Sequence, residues 1–531
     1  VKYNFTSLAC KRSYANMGGS MDKPTMLVVL DGFGWAPAGP GNAISIANMP
    51  FWHSLCTDYP YQLLKASGED VGLLPGGLGN SEVGHMTLGA GRVVPATLTL
   101  LDELLSSGLL LQHPAIQESL ARIIQSGGRI HLVGLLSSGG VHSHEKHLHA
   151  LLVFFAQQTT AEILIHVILD GRDVPPSSAT CYLERLEALC EKVGRGKIVS
   201  VQGRFYAMDR DNNQERTALA MRMLRGDLPV LTEKWREVLA RSYRHGVTDE
   251  FILPALLCAR AGISPGDGVV FFNTRPDRMR QLISALTDSD NQVKGLAFLL
   301  TPIAYGGSDQ VSCQLTLFQQ KPVQNTLLHA ISASKKSSFV IAETEKYAHV
   351  TYFLQGHDES ILPLQERVLI PSIKTKNYAA FPAMSAHQIT AALIKSLRTA
   401  PAFFYVVNFA NADMVGHSGD LTATVKACEI LDQQLALLYH EVVVRHGGTL
   451  CITADHGNAE HKRDAAGRSL TAHTANPVPI VFVSQLLKKH QKNNPMDDTV
   501  GLQNGLAAVA PTLLTSMGLS VPLDMSTKLL L

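Results

Sequence analysis

The run MLVVLDGFG, residues 26–34, decides how this chain is read. Five consecutive apolar residues, Met26 to Leu30, lead straight into Asp31 and Gly32. An unbroken apolar run closed by an acidic residue and a glycine predicts a strand buried on both faces of a parallel sheet. Ligands of open α/β sheets gather beyond the carboxyl ends of the strands, so Asp31 is placed for chemistry. The pattern returns near the far end. FFYVVNFANAD (403–413) ends in Asp413, and TLCITAD (449–455) ends in Asp455. His417 lies four residues beyond Asp413, His456 directly follows Asp455, and TAHTANP (471–477) supplies His473. Taken singly, each histidine is explained by an ordinary hydrogen bond and each aspartate by a turn or a cap. The repeated strand-then-acid pattern argues for one shared site. Aspartate and imidazole donors suit divalent ions of intermediate hardness such as Mn²⁺ or Zn²⁺. Paired ions about 3.5–4 Å apart are a recurrent solution to phosphoryl chemistry.

Outward from these strands, the middle of the chain forms a second alternating unit. IHLVGLL (130–136), EILIHVILD (162–170), KIVSVQG (197–203) and GVVFFN (268–273) are strand candidates. Helical patterns such as SATCYLERLEALCEKV (178–193) and NQERTALAMRML (213–224) separate them. The alternation predicts a parallel or mixed sheet. The expected fold is therefore α/β, with two α/β domains, one inserted into the other. Residues 24–95 and 321–531 would form a discontinuous metal-binding domain, and 96–320 the inserted substrate-binding domain. Residues 1–23 lack an apolar targeting core and are expected to be a flexible N-terminal arm, with Met21 a candidate start. A length of 531 residues is too great for a single core. An apolar content of 46% excludes global disorder, and a net charge of +1 excludes a basic field that gathers nucleic acid or anionic lipid. No stretch reaches the roughly 18 apolar residues of a membrane span. The eight cysteines are scattered without a C-x-x-C pair, as expected of reduced thiols in a cytoplasmic protein.

PGGLGNSEVGHMTLGAGR (75–92) is the densest glycine segment, yet it is neither a P-loop nor a dinucleotide fingerprint. Ser81 stands at an expected helix start. It is either an N-cap or a nucleophile, and as a nucleophile it needs a base or a metal to activate it. The amides of that helix start would then help to hold a phosphoryl group. In the middle unit, HLVGLLSSGGVHSH (131–144) carries His142 and LDGRDVPP (169–176) carries Arg172 and Asp173. GRFYAMDRD (203–211) carries Arg204 and Arg210, and FNTRPDR (272–278) carries Arg275 and Arg278. One arginine alone is an ordinary surface residue. Five in glycine or proline loops after strands suggest clamps for carboxylate and phosphate. Asp173 and His142 would move protons at a substrate hydroxyl. IAETEKYAHV (341–350) adds Lys346 as a point charge for phosphate.

Together LDGFG, GNSEVGH, GAGRVV, GGVHSH, LDGRD-PP, IAETEKYAHVT, NFANADMVGH, TADHGNAE and AHTANPVP resemble the cofactor-independent phosphoglycerate mutases of the alkaline-phosphatase-like superfamily. These motifs, in the family's order, span nearly the whole chain. The resemblance implies interconversion of 3-phosphoglycerate and 2-phosphoglycerate through a phosphoserine, without bisphosphoglycerate. It implies two divalent ions, most often Mn²⁺, no organic cofactor, and a cytoplasmic monomer whose partner is its small-molecule substrate, not nucleic acid or membrane. Ser81 would be the nucleophile and bind one ion with Asp31, Asp455 and His456. Asp413, His417 and His473 would hold the other. His142, Arg172, Asp173, Arg204, Arg210, Arg275, Arg278 and Lys346 match the substrate-binding positions.

The chain departs from the family pattern at Ser138, Asn213, Gln214 and Thr274. A phosphatase or phosphopentomutase-like enzyme of the same superfamily is the nearest alternative. A binding protein on an inactive mutase scaffold is the alternative of another class.

Overall fold

The computed structural model describes residues 23–209, 212–287, 295–305, 313–319, 321–375, 377–488, 504–526 and 528–530. The expected arm, apart from Lys23, lies outside them, and so does Arg210. Fourteen strands in the described residues form two seven-stranded sheets. The first contains β1 (Thr25–Leu30) and β2 (Tyr61–Leu64) from the start of the chain. The chain then leaves for the second sheet: β3 (Ile130–Leu136), β4 (Ile163–Leu169), β5 (Lys197–Gly203), β6 (Ala255–Leu256), β7 (Gly268–Phe271), β8 (Phe298–Thr301) and β9 (Gln314–Thr316). It returns to the first with β10 (Ser338–Glu343), β11 (Gln365–Ile370), β12 (Phe404–Phe409), β13 (Thr449–Thr453) and β14 (Val478–Val483).

In the first sheet the order is β11-β10-β12-β1-β13-β14-β2. The five strands from β11 to β13 are parallel, and β14 runs against both of its neighbours. β1 is the middle strand and is fully buried, as its apolar run demands. It pairs in register with β12 on one side and β13 on the other, with Leu30 opposite Phe409 and Val29 opposite Thr453. Three runs far apart in sequence therefore end at one level. The second sheet, in the order β6-β5-β4-β3-β7-β8-β9, is parallel except for β6. Its central strand β3 sends Ile130, Leu132 and Leu136 into one apolar layer and Val133 and Leu135 into another, as alternation along a doubly covered strand requires. The edge strands β2, β6, β9 and β11, and the inner strands β8, β10 and β14, are absent from the sequence reading. The edge strands are short or lack a long apolar run, whereas β10 and β14 are fully buried six-residue strands that the reading passed over.

The helix Ser81–Ala90 lies against the end of β13 through Gly84. A Cβ at Gly84 would stand 2.5 Å from the Asp455 carbonyl oxygen and 2.8 Å from Asp455 Cβ. Both atoms belong to a rigid strand end, so the helix itself must move. Gly84→Ala is expected to cost about 1–3 kcal/mol of stability by overpacking, read as a lower midpoint in thermal or denaturant unfolding.

Candidate active site

Asp31, Asp413 and Asp455 converge at the carboxyl ends of β1, β12 and β13, all buried. Gly32 lets the turn after β1 reach them. Its φ of +71° belongs to the left-handed region, and a Cβ there would lie 2.7 Å from Asp413 Cβ. Its amide donates to Asp455 Oδ1 at 3.2 Å.

Into this cluster the helix Ser81–Ala90 projects its first residue. The side chain of Asn80 accepts from the amides of Glu82 and Val83, so Asn80 is the cap. Two expectations change here. Ser81 is not the N-cap, and two amides expected to hold a phosphoryl group are already taken by Asn80. Ser81 Oγ instead donates to Asp31 Oδ1 at 3.2 Å and lies 3.0 Å from His456 Nε2. The ammonium of Lys346 sits at the centre. It donates to Asp31 Oδ1 at 2.6 Å, to Asp413 Oδ2 at 2.7 Å and to Ser81 Oγ at 2.7 Å. His417 and His473 approach Asp413 Oδ1 to 3.2 and 3.4 Å.

The electrostatics follow from three carboxylates in a dry place. Burial works against the charge of Lys346, but Asp31, Asp413 and Asp455 outweigh it and hold the amine above the usual lysine range. Burial likewise opposes charge on His456, yet Asp455 and the Asp31 hydrogen bond push it up to about 10. Asp31 and Asp413 stay well below the carboxylate range because Lys346 overcomes their burial. His473 is lowered, by burial first and then by His456, and so offers a neutral ring.

Donor atoms close enough to share an ion form three overlapping sets: Asp413 with His417 and His473, Asp31 with Asp413 and His456, and Asp31 with His85 and Asp455. The residues fit divalent ions. Asp455 Oδ2 is buried and accepts no hydrogen bond from any described residue, a vacancy in bonding that a cation would fill.

His85 was not among the expected site residues. Its Nδ1 lies 2.9 Å from the Ser81 carbonyl oxygen and 3.2 Å from Asp455 Oδ2, and its Nε2 lies 3.0 Å from Asn408 Nδ2. The signal was present, since GNSEVGH places it four residues from Ser81 on one helix face. Asn408, a polar break in the β12 run, donates to Asp31 Oδ2 at 2.7 Å. Asn458 donates to Asp413 Oδ1 at 2.9 Å, and buried Lys462 donates to Asn458 Oδ1. Burial lowers Lys462 to about 8, with Asp413 and Glu460 resisting.

The expected clamps fall into two groups. Arg172, Arg204 and Arg278 line a cavity of about 360 Å³ in the middle unit, together with Arg216 and Glu250. Arg204 also donates to Asp170 at 2.7 Å and to Asp173 at 2.5 Å. Asp173 is thus held by a guanidinium. His142 is buried, its carbonyl gripped by Thr274 through N at 2.6 Å and Oγ1 at 3.1 Å. Arg275 does not line the cavity. It reaches across to Glu82, the neighbour of Ser81, and so bridges the two sheets' units.

The sequence and the fold match known proteins. The 2,3-bisphosphoglycerate-independent phosphoglycerate mutase of Gloeobacter violaceus is 41% identical over 512 residues, covering 96% of this chain and 95% of that protein. This chain belongs to that mutase family. The Thermosynechococcus vestitus mutase is 42% identical over 519 residues, with 97% of each chain covered. Residues 101–319 match the family description "BPG-independent PGAM N-terminus". A crystal structure of Leishmania mexicana phosphoglycerate mutase, obtained at low cobalt concentration, superposes with a TM-score of 0.78 at 28% identity, covering 96% of this chain and 97% of the other.

Three departures from the family pattern have local partners. Ser138 Oγ lies 2.7 Å from the Tyr182 hydroxyl, Thr274 grips His142, and the Asn213 amide donates to Asp209 Oδ2 at 2.9 Å. Gln214 opens the helix Gln214–Leu224. Because three buried carboxylates face two cationic side chains, added divalent ion should stabilise the fold. Mn²⁺ at about 100 times its Kd is expected to raise Tm by about 5 °C, and Asp413→Asn to abolish most of that rise in a thermal melt.

Proposed function

We propose that this chain interconverts 3-phosphoglycerate and 2-phosphoglycerate, with Ser81 carrying the phosphoryl group between the two oxygens. The observation that supports it most is the placement of one serine oxygen within hydrogen-bonding reach of Asp31, His456 and Lys346. A serine hydroxyl is a weak nucleophile, and this surrounding is what activation requires. In the reading, Asp31, Asp455, His456 and Ser81 hold one divalent ion, and Asp413, His417 and His473 the other. Asp413 also lies within reach of the first set and His85 backs Asp455. When bound, ions such as Mn²⁺ would acidify the serine hydroxyl and neutralise charge on the phosphoryl group. His456 must give up its proton to become a ligand, so ion binding would release a proton.

Ser81 Oγ gives up its proton to solvent and attacks phosphorus, and the bond from phosphorus to the first glycerate oxygen breaks. That oxygen takes up a proton. The second glycerate hydroxyl then loses a proton and attacks phosphorus, and the bond to Ser81 Oγ breaks. Asp173 and His142 are the proposed proton carriers. Lys346 offsets charge on the moving group throughout, an electrostatic task. The glycerate must stay in place between the two transfers. Arg172, Arg204, Arg275 and Arg278 are assigned that retention, with Arg210 assigned on sequence alone. Residues 24–95 with 321–531 would carry the ions and 96–320 the substrate. Closure of the two units would keep water from the phosphoserine. The reading includes a cytoplasmic monomer, supported by scattered cysteines without C-x-x-C pairs and by the family's habit.

A coupled assay on metal-stripped protein tests this, following 3-phosphoglycerate to 2-phosphoglycerate without bisphosphoglycerate. Activity should return with Mn²⁺ and fall at least about 10³-fold in Ser81→Ala. Release of free phosphate without 2-phosphoglycerate would favour a phosphatase instead. No turnover with ions demonstrably bound would favour a binding role.

A further inference from the structure

Lys462 is wholly buried and belongs to none of the groups assigned above. Its ammonium donates to the Gly416 carbonyl oxygen at 3.0 Å and to Asn458 Oδ1, and it forms no ion pair with any described carboxylate. Lysine only donates, so the amide oxygen of Asn458 must face it. The amide nitrogen then faces Asp413 Oδ1. A positive charge thus stands two hydrogen bonds behind Asp413, on the side away from Lys346.

We infer that Lys462 weakens divalent-ion binding at Asp413, His417 and His473 and so makes that ion the exchangeable one of the pair. The inference rests on the two-ion reading above. Asn458 does not need Lys462 for its orientation. Its backbone amide is anchored on Glu460 Oε2 at 2.8 Å, and a carboxylate only accepts, so Nδ2 faces Asp413 in either case. What Lys462 adds beyond its hydrogen bonds to the Gly416 carbonyl oxygen and Asn458 Oδ1 is charge. In a dry interior that charge is poorly screened, and it opposes a dication arriving at the same carboxylate. The set of Asp31, Ser81, Asp455 and His456 lies farther along the same hydrogen-bond chain, beyond Asp413 and Lys346, and should feel it less.

The test is Mn²⁺ alone, titrated into full-length, metal-stripped protein and followed by calorimetry and by the spin resonance of free Mn²⁺. Lys462→Met removes the charge and keeps an unbranched apolar stem. It is expected to tighten one class of site at least tenfold and to move the other less than threefold, while Lys462→Arg keeps the wild-type affinities. Circular dichroism verifies folding. If the methionine variant does not fold, Lys462→Gln gives the same comparison. Unchanged or weaker Mn²⁺ binding in a folded neutral variant would overturn the inference while leaving the two-ion reading intact. Failure of the wild type to bind Mn²⁺ at all would overturn both.

Discussion

Three carboxylates forced together without water is the constraint on which the rest of this structure depends. Asp31, Asp413 and Asp455 stand at one level because β12, β1 and β13 are adjacent, parallel and in register. Left to themselves, buried like charges would protonate or push the strands apart. The protein answers with Lys346 at the centre and a protonated His456 beside it. Two cations against three anions leaves the centre one charge short. That deficit makes the site receptive to ions, and Asn408, Asn458 and His85 hold its donors in fixed directions. Such outer partners decide the orientation of first ligands as much as the ligands themselves.

Much of this was legible in the chain. Asp31, Asp413 and Asp455 were readable because each follows a buried strand, Asp413 on the short helix Asn411–Gly416 beyond β12, and His417 and His456 because they sit beside them. The parallel centres of both sheets follow from their long apolar runs. Ser81 was ambiguous. A helix-start serine and its neighbour Asn80 are both good caps, and only the fold shows that Asn80 takes the task and leaves the serine oxygen free of it. Lys462 and Asn458 were not legible as a pair with Asp413, since nothing local says that a lysine in DHGNAEHKRD is buried. The reach of Arg275 to Glu82 was equally hidden, because 193 residues separate the partners and no periodicity connects them.

The division of labour between the two sheets follows from where their polar loops fall. The first sheet concentrates carboxylates and imidazoles. The second concentrates guanidinium groups around a small cavity, held in turn by Asp170, Asp173 and Glu250. Anionic ligands prefer the second surface and cations the first. In the proposed reading a phosphorylated acid between them would satisfy both, its phosphoryl end toward the ion-binding set and Lys346, its carboxylate toward the arginines.

The central position of β1 also bears on how the chain is made. Gly32 and its partner Asp455 are 423 residues apart. At ribosomal speeds the first strand waits roughly 20–85 s before β13 exists to cover it. Through that interval an apolar strand with two unsatisfied edges is available to any neighbouring chain. The middle sheet, complete within one continuous stretch, is able to form while β1 waits. The strand that centres the finished sheet is thus among the earliest made, yet it gains its second neighbour only once β13 exists.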